Sequence, residues 1–241
     1  VTSVEQVTSF HSYAETFTDS LLPEYGNYFQ CIDFKPPARH ALKDPVFCVA
    51  KYDMRRWVFG GQTIGSAGRE AEIREFARAF CALPAQPFTL VPGPRDPVVT
   101  RYLDTPNGRY LYCANTLFAD CRVTLRGAGT LRDLSTGAVV TAAAIDLKPY
   151  ELRSFLVEGA PGPAADLKVA ALAVPETARQ FYVDSFAQLE TWLQTAQEFG
   201  IEVEINRQQL AQAQQAFADK RYAETHRCLF TAAWHQLMRN L

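Results

Sequence analysis

The clearest pattern of hydrophobic and polar positions lies between Arg109 and Val157, where short segments alternate with a period of two. In one of them, Cys121, Val123 and Leu125 fall on one face, and arginine and threonine side chains fall on the other. This period is typical of half-buried strands. The segments concerned are residues 97–104, 109–115, 121–127, 131–134, 138–143, 144–147 and 149–157. They predict an antiparallel β-sandwich of roughly 60 residues, a size at which a sandwich is only marginally stable alone.

Two turn signals separate these predicted strands. Asn107-Gly108 is the strongest short hairpin signal in the chain. Ser135-Thr-Gly137 ends in a glycine, which can adopt a positive φ without steric cost. We therefore expect the strands on either side of Asn107-Gly108 to pair as a β-hairpin.

Residues 1–92 show a different pattern, in which predicted helices and apolar strands alternate. Residues 69–83 predict a helix, because apolar side chains from Ile73 to Phe80 recur at helical spacing. The apolar run Val46–Ala50 predicts a strand buried on both faces, with a buried helical segment as the alternative. Other predicted elements are a helix at 3–20 and strands at 27–34 and 56–59. This order is typical of an α/β fold, and the segment is too short for a complete (β/α) barrel of ~250 residues.

Helical spacing returns in residues 161–241. A stripe of apolar side chains predicts a helix that begins at Pro175 and is terminated by Gly200. Asn206 is expected to cap a second helix, and a third is expected over residues 221–241. This helical segment either packs on the rest of the chain or binds a partner.

We therefore predict an α+β, multidomain chain with three parts. Residues 1–92 form a partial, barrel-like α/β segment, residues 93–160 form the antiparallel β-sandwich, and residues 161–241 form a three-helix C-terminal segment. Residues 85–97 are rich in proline and are expected to form a rigid linker into the sandwich.

The composition narrows the classes of partner. The chain has 241 residues, of which 48% are hydrophobic and 21% charged, as expected of a folded protein. Its formal net charge is −2 and it lacks a basic patch, so we expect no nucleic-acid partner. No apolar run approaches the ~20 residues of a membrane span, so we expect no membrane partner. Because phosphate-loop, dinucleotide and metal-ligand motifs are missing from the sequence, we expect no cofactor.

The cysteines indicate a reducing compartment. Six cysteines are scattered through apolar segments without a Cys-x-x-Cys pair. Disulfides are rare in the cytosol, so we expect buried thiols and favour a cytoplasmic location, with secretion as the alternative. Cys113 and Cys121 lie on neighbouring predicted strands, so they are the one pair to check for a disulfide.

Several short motifs resemble a known family. Tyr-Leu-Tyr-Cys-Ala-Asn at 110–115, Asp-Leu-Ser-Thr-Gly at 133–137 and Leu-Lys-Pro-Tyr-Glu-Leu-Arg-Ser-Phe at 147–155 resemble the β-sandwich that follows the catalytic barrel in many bacterial glycoside hydrolases. Residues 26–30, 55–61 and 73–84 resemble the closing strand, loop and helix of such a barrel. The resemblance implies the C-terminal region of a glycoside hydrolase-like protein whose earlier barrel strands, which carry at least one catalytic carboxylate, lie outside this sequence. An N-terminal companion segment or a homo-oligomer would then complete it.

Three carboxylates are candidate catalytic residues. Hydrolysis of a glycosidic bond uses two carboxylates, ~5 Å apart for retention or ~6.5–9.5 Å apart for inversion. Asp33 and Asp53 lie at or just after the ends of predicted strands, where barrel enzymes place their sites, and Glu24 precedes the first of these strands. The structural alternative is that each carboxylate caps a loop or forms an ion pair.

Four further residues are candidate sugar contacts. Trp57, Tyr28 and Tyr52 present aromatic rings that could stack on a sugar, although aromatic residues in strands more often belong to the core. Gln62 opens a polar loop before a predicted helix, whose backbone N–H groups could hold a sugar hydroxyl.

Two functions from different classes follow. The first is the C-terminal portion of a carbohydrate-active, glycoside hydrolase-like protein that supports or completes a site for an oligosaccharide or glycoside. If the chain takes part in catalysis, the reaction is hydrolysis of O-glycosyl bonds with residues from outside this chain. The alternative is a non-catalytic interaction or scaffold protein with a β-sandwich and a partner-binding helical tail.

Overall fold

The computed structural model describes residues 42–54, 70–141, 144–159 and 166–240. In these ranges the helices are α1 Lys43–Tyr52, α2 Glu70–Cys81, α3 Glu176–Glu198, α4 Glu204–Ala218, α5 Tyr222–Leu229 and α6 Ala232–Asn240. The strands are β1 Thr89–Leu90, β2 Val98–Thr105, β3 Gly108–Asn115, β4 Cys121–Arg126, β5 Thr130–Asp133, β6 Val139–Thr141, β7 Ile145–Leu147, β8 Leu152–Val157 and β9 Lys168–Ala173. Over the described part of the chain, every helix is too short or too polar to cross a membrane.

The strands form two antiparallel sheets, which confirms the predicted α+β class and the sandwich. The larger sheet has the order β1-β2-β3-β8-β5-β6, and the smaller has the order β7-β4-β9. The predicted hairpin joins β2 to β3, but Thr105 pairs with Gly108, so Pro106 and Asn107 form the turn. Gly108 is the first strand residue and has a φ of 122°.

The larger sheet is buried on both faces along its central strands, β3 and β8. Its inner face packs on the smaller sheet through residues such as Leu111, Phe155 and Val123. Its outer face is covered by α1 and α2, which pack on Tyr112 and Leu152. The period-two pattern of these strands therefore separates two cores rather than a core and solvent.

Helix α1 replaces a predicted strand. The run Val46–Ala50 is helical, so the strand prediction was wrong and the buried-helix alternative is correct. Val46, Val49 and Ala50 are spaced three and four residues apart and face the core, while Lys51 is exposed. This spacing forms one face of a helix. Helix α2 agrees with the prediction for residues 69–83.

The C-terminal region contains a strand in addition to the predicted helices. Strand β9 pairs with β4, and β1 pairs with β2, so the two sheets include residues on both sides of 93–160. Asn206 does not cap the second helix, because α4 begins at Glu204 and Asn206 is buried within it. The third predicted helix is divided into α5 and α6 at residues 230–231.

The helical segment shares its core with the sandwich. Tyr182 of α3 and Trp234 of α6 belong to the same buried cluster as Val123 of β4. The carboxylate of Asp96, in the loop before β2, accepts hydrogen bonds from the backbone N–H groups of Ala223 and Glu224 at the start of α5. The helices therefore pack on the sandwich.

The predicted disulfide candidates are separate thiols. Cys113 lies in β3 of the larger sheet and Cys121 lies in β4 of the smaller one, so they are not on neighbouring strands. The Cys113 Sγ lies 3.6 Å from the Thr100 Oγ1. Burial raises the pKa of the Cys113 thiol to about 11 and that of the Cys121 thiol to about 12. Both side chains are therefore uncharged at neutral pH.

Candidate binding cleft

A cleft of about 850 Å³ opens at one end of the sandwich, between the ends of β5 and β8 in the larger sheet and β4 and β7 in the smaller one. Helix α2 lies along one side of the cleft, and Leu42 at the start of α1 also lines it. The lining is strongly charged and mixed in sign. Its charged side chains are Glu75, Arg78, Asp120, Arg122, Asp133, Asp146, Lys148, Glu151 and Arg153.

Arg153 and Asp133 form the central ion pair of the cleft. The Nε and Nη2 of Arg153 donate to the Oδ2 of Asp133 at 3.0 and 2.7 Å. The Nη1 donates to the backbone oxygen of Asp146 in β7 at 3.0 Å. The Asp133 side chain is 4% exposed and that of Arg153 is 21% exposed. This guanidinium therefore joins the two sheets at the open end of the sandwich.

Asp133 also holds the turn that follows β5. Its Oδ1 accepts hydrogen bonds from the backbone N–H groups of Ser135 and Thr136 at 2.9 and 3.1 Å. Gly137 ends this turn with a φ of 74°. The Asp-Leu-Ser-Thr-Gly motif is thus explained by turn geometry, in which the aspartate satisfies backbone donors and the glycine adopts positive φ.

Three of the other four carboxylates of the cleft, Asp146, Glu75 and Glu151, also have partners. Asp146 accepts hydrogen bonds from Arg122 at 2.6 and 3.2 Å, and this interaction holds the pKa of Asp146 below its usual value. The Nζ of Lys148 lies 3.9 Å from Glu75, and the backbone N–H of Lys148 donates to Glu151 at 2.6 Å. Paired carboxylates and guanidinium groups suit the recognition of polar ligands by several hydrogen bonds. General acid–base hydrolysis would instead need a carboxyl group that is available to exchange a proton.

Most of the sequence-predicted site residues lie outside the described residues. These are Glu24, Asp33, Tyr28, Trp57 and Gln62. Tyr52 and Asp53 are described and lie at the C-terminal end of α1, whereas Leu42 at its other end lines the cleft. Tyr52 is exposed, and the Nζ of Lys51 lies 5.3 Å from the centroid of its ring.

Asp53 follows a helix and not the predicted strand. It ends α1 in the left-handed conformation with a φ of 50°, and its side chain is buried. Its Oδ2 accepts a hydrogen bond from the backbone N–H of Phe88 at 2.8 Å, and its Oδ1 accepts one from the Tyr112 hydroxyl at 3.0 Å. These contacts join α1 to the larger sheet.

Sequence reasoning missed the Arg153–Asp133 pair, although the sequence contained a signal for it. Arg153 lies on the same face of its strand as Phe155 and Val157, which are both buried. A charged residue on an apolar face requires a partner. Asp133, at the head of a turn motif, was the candidate partner that the sequence offered.

The cysteine, histidine and acidic residues of the described ranges form no group of three or more that could hold a metal ion. The cleft therefore presents hydrogen-bonding groups and ion pairs rather than a metal centre in this part of the chain.

Comparisons with known proteins give one weak similarity. No protein-family model and no curated protein matches the chain. A crystal structure of an AmyP variant in complex with maltotriose is similar to it at 25% identity, with a TM-score of 0.28. The similar region covers 32% of this chain and only 17% of that protein. At this TM-score the similarity carries no argument about fold or function.

Proposed function

We propose that this chain is the C-terminal portion of a carbohydrate-active, glycoside hydrolase-like protein, in which the β-sandwich supports a sugar-binding site formed by the segment that precedes it. The observation that carries the proposal is the attachment of α1 and α2 to the outer face of the larger sheet. The motifs of the sandwich and the motif at residues 73–84 resemble neighbouring parts of one glycoside hydrolase architecture. Helix α2, which contains most of residues 73–84, packs on the sandwich, and this contact supports the proposal.

The attachment uses both polar and apolar contacts. Arg101 of β2 donates to the backbone oxygen of Ala50 in α1 at 3.3 Å, and Tyr112 of β3 donates to Asp53. Phe76 of α2 and Leu152 of β8 are buried in the same cluster. Because these contacts fix the end of α1, they would also fix the position of Tyr52, the exposed aromatic side chain beside it.

Hydrolysis would require at least one carboxylate from outside the charged cleft, since the described contacts occupy Asp133, Asp146, Glu75 and Glu151. Of the described lining carboxylates, this leaves Asp120, whereas the reaction uses two. Our proposed catalytic candidates are Asp33 and Glu24. A companion segment or a second copy of the chain would complete the active site. Asp53 would act as a positioning residue. Tyr28, Tyr52, Trp57 and Gln62 are the proposed sugar contacts, and the proposed location is the cytoplasm.

The test is calorimetric titration of the full chain with neutral oligosaccharides of glucose, xylose and N-acetylglucosamine, maltotriose among them. We expect binding of at least one of them, without turnover by the isolated chain when products are separated by chromatography. Tyr52→Ala and Trp57→Ala should each weaken that binding. Phe199→Ala, which removes an exposed aromatic ring at the distant end of α3, is the matched control. Failure of every oligosaccharide to bind at millimolar concentration would refute the proposal.

The second candidate is a scaffold protein that binds a partner through its helices. Phe199 and Ile205, at the connection between α3 and α4, are 74% and 62% exposed. In this second proposal they belong to one apolar interaction surface, since contiguous exposed apolar patches mark such surfaces. If the chain is such a scaffold, the parent chain should bind no sugar. The double variant Phe199→Ser with Ile205→Ser should then lose the self-association or partner binding that sedimentation velocity detects in the parent chain.

A further inference from the structure

A second cavity, of about 260 Å³, lies between α1, the loop before β2 and the start of α5. Four cationic side chains line it: Lys43, Lys51, Arg95 and Arg227. The carboxylates of the lining are Asp96 and Glu224. These six residues come from three segments that are distant in sequence, so the fold itself brings the charges together.

Both carboxylates of this cavity are already engaged. Asp96 accepts hydrogen bonds from the backbone N–H groups of Ala223 and Glu224 at 2.7 and 3.0 Å, and it interacts electrostatically with Arg227. The side chain of Glu224 accepts a hydrogen bond from Arg221 at 2.5 Å. The positive charges of the cavity therefore exceed the negative charges that face them.

Three of the cations have no acidic partner in the described part of the chain. Lys43, Lys51 and Arg95 form no salt bridge there, and the lysines lie at the two ends of α1. Cations held around a concave, low-dielectric surface attract anions more strongly than the same charges on an open surface.

The cavity also has an apolar wall. The ring of Phe47 lies near two cations, with the Nζ of Lys51 5.4 Å and the Cζ of Arg227 5.9 Å from its centroid. The volume is below the ~300–1,000 Å³ of pockets that take drug-sized ligands. The shape and charge thus fit a ligand of about monosaccharide size that combines one charged group with a less polar ring face.

We propose that this cavity is a binding site for a monosaccharide-sized anion. Its phosphate or carboxylate group is held by Lys43, Lys51 and Arg95, and its ring packs against Phe47. This site is separate from the charged cleft and does not depend on the proposed function, because it requires no neutral oligosaccharide to bind.

The experiment is calorimetric titration of the full chain in a phosphate-free buffer of low ionic strength with glucose 6-phosphate, glucuronate, inorganic phosphate and glucose. We expect the anions to bind and glucose not to bind. The relative affinities of glucose 6-phosphate and glucuronate identify which charged group the site prefers. Affinity should fall several-fold when 200 mM NaCl is added, since salt screens the charges.

Variants locate the binding. Lys51→Gln with Arg95→Gln should weaken binding of the anion by on the order of 10-fold, because two attractive charges are lost. Lys168→Gln with Arg126→Gln removes the same two charge types from exposed positions on the smaller sheet and should leave the affinity unchanged. The proposal is overturned if glucose binds as well as the anions, if no anion binds at millimolar concentration, or if the two double variants have equal effects. Thermal melts of each variant confirm that it is folded.

Discussion

The hydroxyl of Tyr112 donates a hydrogen bond of 3.0 Å to the carboxylate of Asp53 and also lies 3.3 Å from the backbone oxygen of Val49. It joins the centre of the larger sheet to the C-terminal end of α1. Both side chains are buried, so water cannot replace this hydrogen bond if it is lost.

Tyr112→Phe should therefore destabilise the protein. A buried hydrogen bond to a charged group contributes about 1.5–3 kcal/mol, and the substitution leaves the ring in place. We expect the free energy of unfolding in urea to fall by about 2 kcal/mol. Tyr110→Phe is the control, because Tyr110 is partly buried in the same cluster and its hydroxyl makes no hydrogen bond within the described residues. Equal effects of the two variants would contradict the structural role of the Tyr112–Asp53 contact.

Two ion pairs of the charged cleft, Arg153–Asp133 and Arg122–Asp146, should differ in their contribution to stability. Asp133→Ala leaves the Arg153 guanidinium largely buried without its partner and removes the acceptor for the following turn. We expect a loss of about 3 kcal/mol, at the lower end of the range for breaking buried pairs because Arg153 is partly exposed. Asp146→Ala breaks a pair whose side chains are 58% and 68% exposed, and should cost about 0–1 kcal/mol. Urea titrations of both variants make the comparison.

The contribution of the Arg122–Asp146 pair to stability should depend on pH. Arg122 lowers the pKa of Asp146 from 3.8, so the contribution of this carboxylate is present above pH 3.8 and is lost as the pH falls through its lower folded-state pKa. The small stability difference between the parent chain and Asp146→Ala should thus vanish in acid. A difference that grew on acidification would contradict this assignment.

The sandwich was predictable from sequence because its strands have strong period-two patterns with turn signals between them. Val46–Ala50 was harder, because a short apolar run fits a buried strand and a buried helix equally well. The error placed Asp53 at the end of a strand, whereas it ends a helix, and this difference changes the role expected of it. Strand β9 was missed because Lys168–Ala173 is rich in alanine and lies at a sheet edge, where packing and not propensity determines the structure.

The charged cleft was less predictable than the fold. Arg153 and Asp133 are 20 residues apart in sequence and meet only because β5 pairs with β8 in a particular register. The cavity beside α5 depends on a still longer separation, since Asp96 meets Ala223 across 127 residues. Sequence patterns specify which face of an element is buried, whereas sites of this kind depend on how distant elements are placed together.

Asp96 should be important for anchoring α5. Burial raises the pKa of this carboxyl, while its two backbone hydrogen bonds act in the opposite direction. It caps donors that the first turn of a helix leaves unsatisfied, and the loss of such a cap costs about 0.5–2 kcal/mol.

We expect Asp96→Ala to lower the free energy of unfolding by about 2 kcal/mol and Asp96→Asn, which keeps one acceptor oxygen, by less. Asp120→Ala, at an exposed position, is the control. Hydrogen exchange should show faster exchange of the α5 amides in Asp96→Ala only.

The buried thiols should resist alkylation. Cys113 and Cys121 are buried and their raised pKa values keep them protonated, whereas Cys81 is exposed. Because the thiolate is the reactive form, iodoacetamide should modify Cys81 in the native protein at pH 8 and reach Cys113 and Cys121 only after unfolding. Peptide mass spectrometry measures the three rates. Modification of native Cys113 as fast as Cys81 would show that this part of the core opens readily.

Cys113 should also make stability depend on alkaline pH. Burial raises its pKa from 9.0 to about 11, so the folded state retains a proton that the unfolded state releases. Its contribution is fully present below pH 9 and is lost as the pH rises through about 11, by on the order of 3 kcal/mol. Cys113→Ala should lack this part of the alkaline decline, while Cys81→Ala should keep it. Urea titrations between pH 8 and 11 test the difference.

The close approach of β4 to β9 should make Gly127 much less tolerant of substitution than Gly129. Both glycines have positive φ, 75° and 66°, so alanine at either position pays a conformational cost of about 1–2 kcal/mol. A Cβ at Gly127 would also lie 2.4 Å from the backbone oxygen of Asp166, whereas at Gly129 it would meet nothing within 4 Å. Because backbone rather than a flexible side chain is in the way, the start of β9 would have to move.

We expect Gly127→Ala to cost at least about 3 kcal/mol and Gly129→Ala about 1 kcal/mol in urea unfolding. Equal costs would mean that the backbone before β9 can move aside freely, and the pairing of β4 with β9 would then not require glycine at position 127.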